Sequence, residues 1–111
     1  MSLSGNSLTT ASLKPALRQK FKYLTAWASH LGASVRVTSA KRSRAQQINL
    51  YRNFLLGRSK YPVAPPGHSK HEQGLAVDIV TTPYDALYTL GPWWRTVGGT
   101  WNSSDPIHFE L

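Results

Sequence analysis

Residues 69–80 read SKHEQGLAVDIV, and the second half of this stretch decides the interior of the fold. From Leu75 to Val80 every side chain is apolar except the carboxylate of Asp78. A short apolar run of this kind is typical of a buried strand. Because a buried carboxylate is costly unless it pairs with a charge or binds a metal ion, Asp78 needs a partner of one of these kinds. The stretch therefore predicts a central strand that carries a functional group into the core.

An amphipathic helix is predicted near the start of the chain. Its apolar residues recur at steps of three and four, which places them on one helical face: Leu13, Leu17, Phe21, Leu24, Ala28 and Leu31. Ser12 is a candidate cap for this helix, and Gly32 is a candidate stop. Residues 1–11 lack this pattern, and we expect them to form a flexible segment.

A strand and a second helix follow the first helix. Residues 34–39 alternate polar and β-branched side chains, which is the period of a strand with one buried face. Ser43 and Gln46 form a capping box, which predicts a helix from this point to Gly57. The apolar positions of that helix are Ile48, Tyr51, Phe54 and Leu55. Residues 58–67 contain three prolines and are expected to form a loop.

The chain after the central strand predicts a third helix and a last strand. Thr82 and Pro83 are expected to begin a short helix that ends near Gly91. Three aromatic residues then lie among glycines, and the sequence leaves open whether they are core or binding surface: Trp93, Trp94 and Trp101. Residues 107–111 have the composition of a strand. Helices and strands do not alternate as βαβ units, so we expect an α+β fold with a small, mainly antiparallel sheet and about three helices.

Composition limits the classes of protein to which the chain can belong. Its 111 residues suit a single domain, spanning residues 1–111. Thirteen Lys and Arg against five Asp and Glu give a net charge of +8, which favours anionic partners such as cell wall, lipopolysaccharide or nucleic acid. There is no cysteine, so a metal site must use histidine and carboxylate ligands. No secretion signal and no apolar run of membrane-spanning length is recognisable.

Two histidines can provide the partners that Asp78 needs. His71 lies seven positions before Asp78, and His108 lies in another apolar stretch. Two imidazoles and one carboxylate are a zinc ligand set that leaves a position open for water, whose pKa zinc lowers to about 7. Asp105, three residues before His108, can then act as a general base. Arg42 can balance the negative charge that develops on the substrate oxygen.

Each of these residues also has an ordinary structural interpretation. His71 and Asp78 can form an ion pair inside the core, without any metal ion. Asp105 can shape a turn, and Arg42 can be one surface cation among many. Nucleic-acid binding is an alternative for so basic a chain, but it leaves Asp78 unexplained. The helical zinc motif HExxH is excluded, because Leu75 stands where its second histidine belongs.

Three stretches resemble one family of bacterial enzymes. Residues 69–78 match the SxHxxGxAxD motif of the zinc D-alanyl-D-alanine carboxypeptidases and dipeptidases. Residues 38–51, TSAKRSRAQQINLY, are similar to the arginine-bearing strand-to-helix turn of that family. Residues 105–110, DPIHFE, resemble its closing metal motif. The resemblance extends over about residues 35–111, which is most of the chain.

The resemblance implies a zinc peptidase that cuts the stem peptides of bacterial peptidoglycan. It implies one zinc ion per chain, with three ligands: His71, Asp78 and His108. It further implies that Asp105 is the catalytic base and that Arg42 binds the scissile carbonyl. Ser69 would help to hold the substrate. Anionic wall polymers would attract the chain through its charge, no specific nucleic acid is expected as a partner, and we expect a monomer.

The closing motif distinguishes two branches of that family. Carboxypeptidases and vancomycin-resistance dipeptidases carry Glu-x-Trp-His, whereas this chain has Asp105-Pro106-Ile107-His108. Phage endolysins that cut the L-alanyl-D-glutamate bond use Asp here, followed by His-Phe, so we expect this type. The alternatives are a D-Ala-D-Ala carboxypeptidase and a wall-binding relative without turnover. The expected place of action is the bacterial wall or periplasm, and a phage-encoded enzyme would stay in the cytoplasm until lysis.

Overall fold

The computed structural model describes residues 12–59 and 62–111. The three helices are α1, Pro15–His30, α2, Arg44–Leu55, and α3, Leu87–Thr96. The four strands are β1, Ser34–Ser39, β2, Ala76–Thr82, β3, Thr100–Trp101, and β4, His108–Glu110. A short 3-10 helix, Tyr84–Ala86, leads into α3. These elements confirm the α+β class. The segment predicted to be flexible, residues 1–11, lies outside the described residues.

All neighbouring strands of the sheet are antiparallel, in the order β1-β2-β4-β3. The interior position of β2 confirms that the apolar stretch around Asp78 forms a central strand. Asp78 pairs with His108 of β4 on one side and with Ser39 of β1 on the other. The ladder shifts between Val37 and Ser39, so β1 contains one more residue than β2 at this point. Such bulges redirect a strand, here at the end that leads to the site.

The two faces of β2 carry different kinds of side chain. Val77 and Ile79 are fully buried in the hydrophobic core, together with Phe109 of β4 and several residues of α1 and α3. Because side chains alternate along a strand, Asp78 points to the opposite face, away from this core. Burial of the apolar face therefore holds the strand against the core, and the opposite face is available for a polar site.

The ends of α1 differ in part from the prediction. Lys14, not Ser12, is the N-cap, and it makes no capping hydrogen bond with its side chain. The helix begins at Pro15, whose fixed φ and missing N–H suit the first helical position. Gly32, with a φ of +80°, follows the last helical residues as expected. Leu31 lies beyond the helix and is 41% exposed, so it does not extend the buried face.

The capping box of α2 is confirmed, but its apolar face is not buried. The Ser43 hydroxyl accepts from the backbone N–H of Gln46, and the Gln46 side chain accepts from the N–H of Ser43. Ile48 is 43% exposed and Leu55 is 65% exposed. The buried residue of α2 is instead Gln47, because the inner side of this helix faces a polar site rather than the core. The predicted loop is confirmed for residues 58–59 and 62–67, which form neither helix nor strand.

The third helix begins and ends later than predicted: Pro83 precedes the short 3-10 helix, and α3 itself begins at Leu87. It passes through Gly91 and Pro92 and ends at Thr96. Gly91 is a packing position rather than a stop, since a Cβ atom there would overlap with the indole of Trp101. Trp94 and Trp101 are buried in the core, which settles the open question for these two rings. In the described parts of the chain, no helix is long and apolar enough to span a membrane.

The contact between Gly91 and Trp101 gives a test of this packing. We expect Gly91→Ala to lower the free energy of unfolding by about 1–3 kcal/mol, the usual cost of overpacking, although alanine is the better helix former. Thermal or urea denaturation measures the change. Thr89→Ala, an exposed position of the same helix, is the matched control and should be close to neutral. An equal or higher stability of Gly91→Ala would contradict the described packing.

Candidate metal centre

The structure brings together the three residues that the sequence predicts as metal ligands. Asp78 lies in the middle of β2, His108 is its partner on β4, and His71 lies in the turn that precedes β2. Nε2 of His71 and Nδ1 of His108 each lie 3.0 Å from Oδ1 of Asp78. One ligand atom from each residue can be chosen so that all three lie within 4.8 Å of one another. The cluster is therefore compact enough to hold one cation.

The second nitrogen of each imidazole has a partner of its own. Nδ1 of His71 donates to the carbonyl oxygen of Ala40 at 2.8 Å, and Nε2 of His108 donates to Oε1 of Glu110 at 2.7 Å. Because these oxygens only accept, they keep a ring hydrogen on the far nitrogen, so the nitrogen that faces Asp78 can bind a metal ion once it has given up any proton of its own. Two such nitrogens and one carboxylate oxygen fit a zinc ion, and acceptors behind ligating histidines are usual at metal sites.

The turn that carries His71 is held by its own hydrogen bonds. The Ser69 hydroxyl accepts from the backbone N–H of His71 at 3.1 Å. The carbonyl of His71 accepts from the backbone N–H of Arg42 at 3.0 Å, which joins the turn to the chain after β1. Ser69 and His71 are both buried, with 4% and 3% exposure. The imidazole is therefore presented from a well-packed segment, although it belongs to no helix or strand.

Arg42 is held on the opposite side of the Asp78 carboxylate. Its Nη2 donates to Oδ2 of Asp78 at 3.3 Å, and its Nη1 donates to Oε1 of Gln47 at 3.2 Å. Gln47 in turn donates to the carbonyl of Ala64 at 2.8 Å, which ties the proline-rich loop to α2. Sequence reasoning missed Gln47, because a glutamine in the first turns of a helix has no feature that distinguishes it as buried.

A cavity of about 390 Å³ opens over the cluster. Its walls bring all of the predicted site residues together: Arg42, Ser69, His71, Asp78, Asp105 and His108. Gln47, Glu110 and the exposed His68 also line it. The sequence predicts no role for Glu110. Its position two residues after His108 on a predicted strand does indicate that the two side chains share one face.

Burial and neighbouring charges change the proton affinities in the cluster. Burial acts to raise the pKa of Asp78, but hydrogen bonds with His108 and His71 outweigh it and hold that pKa below its ordinary value. Burial acts to lower the pKa of His108, but its contacts with Asp78 and Glu110 raise the pKa to about 9. Burial raises the pKa of Asp105 and outweighs the opposing charge of His108, and Asp78 acts in the same direction as burial. The site therefore combines a carboxylate with raised proton affinity, Asp105, with a carboxylate that stays ionised, Asp78.

Residues 10–99 match the family described as VanY: D-alanyl-D-alanine carboxypeptidase. No curated protein sequence matches the chain at a significant level. The family match includes His71 and Asp78 and ends before Asp105 and His108.

Solved structures of peptidoglycan peptidases share the fold. The LD-carboxypeptidase LdcB has 21% identity and a TM-score of 0.67, over 89% of this chain and 58% of LdcB. The vancomycin-resistance D,D-pentapeptidase VanY, in complex with Zn(II), has 19% identity and a TM-score of 0.70, over 89% of this chain and 72% of the pentapeptidase. The L-Ala D-Glu endopeptidase ChiX of Serratia marcescens has 22% identity and a TM-score of 0.65, over 92% of this chain and 82% of ChiX. The chain thus spans little more than half of LdcB.

The raised pKa of His108 predicts how the stability of the metal-free protein depends on pH. The pKa is about 9 in the folded chain and 6.5 ordinarily, so protonated His108 stabilises the fold fully below pH 6.5. This stabilisation is lost as the pH rises through about 9, where folded His108 loses its proton. We therefore expect the melting temperature of chelator-treated protein to fall across this range.

Two variants separate His108 from other causes of this pH dependence. His108→Gln removes the titrating group and should flatten the fall in melting temperature between about pH 6.5 and 9. His30→Gln, whose ring stacks on Trp27 outside the cluster, should keep the fall. A constant melting temperature of the metal-free wild type over this range would contradict the contacts that we assign to His108.

Proposed function

The chain belongs to the VanY family of D-alanyl-D-alanine carboxypeptidases, and we propose that it is a zinc-dependent peptidase that hydrolyses an amide bond in the stem peptides of bacterial peptidoglycan. The observation that carries the proposal is the cluster of His71, Asp78 and His108 at the wall of a substrate-sized cavity. The Zn(II) complex of the VanY pentapeptidase, which shares the fold, supports zinc as the metal.

In this proposal one zinc ion is held by three residues of the chain. His71 offers Nε2 and His108 offers Nδ1, because their other nitrogens donate to Ala40 and Glu110. Asp78 offers a carboxylate oxygen and brings a negative charge that offsets part of the charge of the ion. When bound, zinc supplies a Lewis acid and lowers the pKa of water to about 7.

Asp105 is the general base of the proposed reaction. It lies at the cavity wall beside the cluster, and burial keeps its pKa above the ordinary value, closer to the pH of the reaction. Its carboxylate takes a proton from the attacking water as the C–O bond forms. The same group then delivers a proton to the amine nitrogen as the C–N bond breaks.

Arg42 and Ser69 bind the reacting amide. The Arg42 guanidinium is fixed by Asp78 and Gln47 and has further N–H groups, which can donate to the oxygen of the scissile carbonyl as negative charge develops there. The Ser69 hydroxyl uses one lone pair to accept from His71, so its hydrogen is available to the substrate. Both residues line the cavity.

The bond that is cut is proposed from the closing motif. Asp105 followed by His108-Phe109 resembles the endolysins that cut the L-alanyl-D-glutamate bond, and we favour this specificity. A D-Ala-D-Ala carboxypeptidase is the second candidate, since the matched family is described by that activity. The ChiX endopeptidase and the VanY pentapeptidase share the fold to a similar degree, so the fold is compatible with both. The net charge of +8 would draw the enzyme, acting as a monomer, to the anionic wall.

Asp105→Asn tests the proposed base, because asparagine keeps the shape of the side chain but accepts no proton. We expect about one zinc ion per chain to be retained and hydrolysis of muropeptides to fall by about a hundredfold or more. Asp85→Asn, an exposed acid on the short 3-10 helix, is the matched control and should keep full activity. Unchanged hydrolysis by Asp105→Asn would remove this residue from the mechanism.

Mass spectrometry of digested peptidoglycan tests the substrate. We expect stem peptides that begin with D-glutamate, which only cleavage of the L-alanyl-D-glutamate bond produces. Release of terminal D-alanine would establish the second candidate instead. A chelator should abolish either product and added zinc should restore it. Zinc binding and wall binding without any new peptide would mean a relative that has lost turnover, and the proposed function would fail.

A further inference from the structure

We propose that Glu110 is a positioning residue that fixes the ring orientation and tautomer of His108 for metal binding. The proposal rests on the zinc site described above and adds a residue behind it. Oε1 of Glu110 lies 2.7 Å from Nε2 of His108, and Oδ1 of Asp78 lies 3.0 Å from Nδ1 on the other side of the ring. The imidazole is therefore held between two carboxylates, only one of which belongs to the cluster that can hold the ion.

The backbone of Glu110 is held from both sides of β4. Glu110 pairs with Ala76 of β2 on one side and with Thr100 of β3 on the other. Its carbonyl oxygen also accepts from Nε1 of Trp94 at 2.9 Å, and this indole is fully buried. The side chain thus starts from a backbone position that is anchored in the sheet and in the core.

Strand geometry brings Glu110 and His108 together. The two residues are separated by Phe109, so they share one face of β4 while the phenyl ring points into the core. Both side chains are partly exposed, His108 at 26% and Glu110 at 21%, and both line the cavity. Their contact is therefore determined by the pleat of the strand and by the length of the glutamate side chain.

The chemistry of imidazole explains what this contact achieves. A neutral ring carries one hydrogen, and it can bind a cation through Nδ1 only when that hydrogen is on Nε2. A carboxylate at Nε2 accepts this hydrogen, favours the required tautomer and makes Nδ1 a stronger donor to the metal. Glu110 acts through the ring, because its carboxylate contacts the nitrogen opposite the one that faces Asp78.

The two histidines differ in how their tautomers are held. His71 donates to the backbone carbonyl of Ala40, which no side-chain substitution removes. His108 donates to a side chain, so its support can be changed without touching any proposed ligand. A substitution of Glu110 can therefore change the affinity for zinc while all three proposed ligands stay in place.

Two substitutions at Glu110 test the proposal by zinc affinity, measured in competition with a chromophoric chelator. We expect Glu110→Leu, which removes the acceptor, to weaken zinc binding by about 10–100-fold. Glu110→Gln keeps an acceptor oxygen on the same stem and should recover much of this loss. Asp85→Asn removes an exposed carboxylate outside the cavity and should leave the affinity unchanged. Circular dichroism of each variant at the assay pH verifies that the fold is intact.

The outcomes separate this proposal from the proposed function. Wild-type affinity in Glu110→Leu would overturn the positioning role, and a raised KM at that affinity would identify Glu110 as a substrate contact instead. Equal losses in Glu110→Leu and Glu110→Gln would also overturn it, because the accepting oxygen would then be irrelevant. If the wild type binds zinc but cuts no muropeptide, the proposed function fails while the affinities still decide the role of Glu110. A wild type that binds no zinc would overturn both.

Discussion

The site depends on the need to compensate one negative charge inside the sheet. Asp78 lies in the middle of the central strand, where an unpaired carboxylate would be costly. Its two oxygens are met from three separate parts of the chain: the turn before β2 provides His71, β4 provides His108 and the segment after β1 provides Arg42. Removing one partner of such a buried set leaves charge uncompensated, so the fold and the site stabilise each other.

The division of β2 into two faces lets a small protein build this site. Val77 and Ile79 bury their side chains among the helices, and this fixes the strand from one side. The order of the sheet then places β4 directly beside β2, so that His108 pairs with Asp78 in register. The same core reaches the site through Trp94, whose indole holds the backbone two residues beyond His108. This one hydrogen bond therefore connects the hydrophobic core to the strand that carries His108.

Local patterns predicted much of this arrangement, and non-local packing accounts for what they missed. The central strand, the capping box of α2 and the residues around the cavity follow from an apolar run, capping chemistry and the three motifs at residues 38–51, 69–78 and 105–110. The C-terminal end of α3 could not be predicted, because Gly91, which has no side chain, leaves room for a ring ten residues further along the chain. Gln47 and Glu110 were missed since their importance depends on partners that only the folded chain brings near.

The extra residue in β1 makes one stretch of the chain intolerant of changes in length. Val37 pairs with Ile79 and Ser39 with Asp78, so Thr38 has no counterpart on β2. Deleting one residue there would restore a regular ladder, but a shift by one position exchanges the two sides of a strand. Insertions and deletions between this bulge and Arg42 should therefore be poorly tolerated.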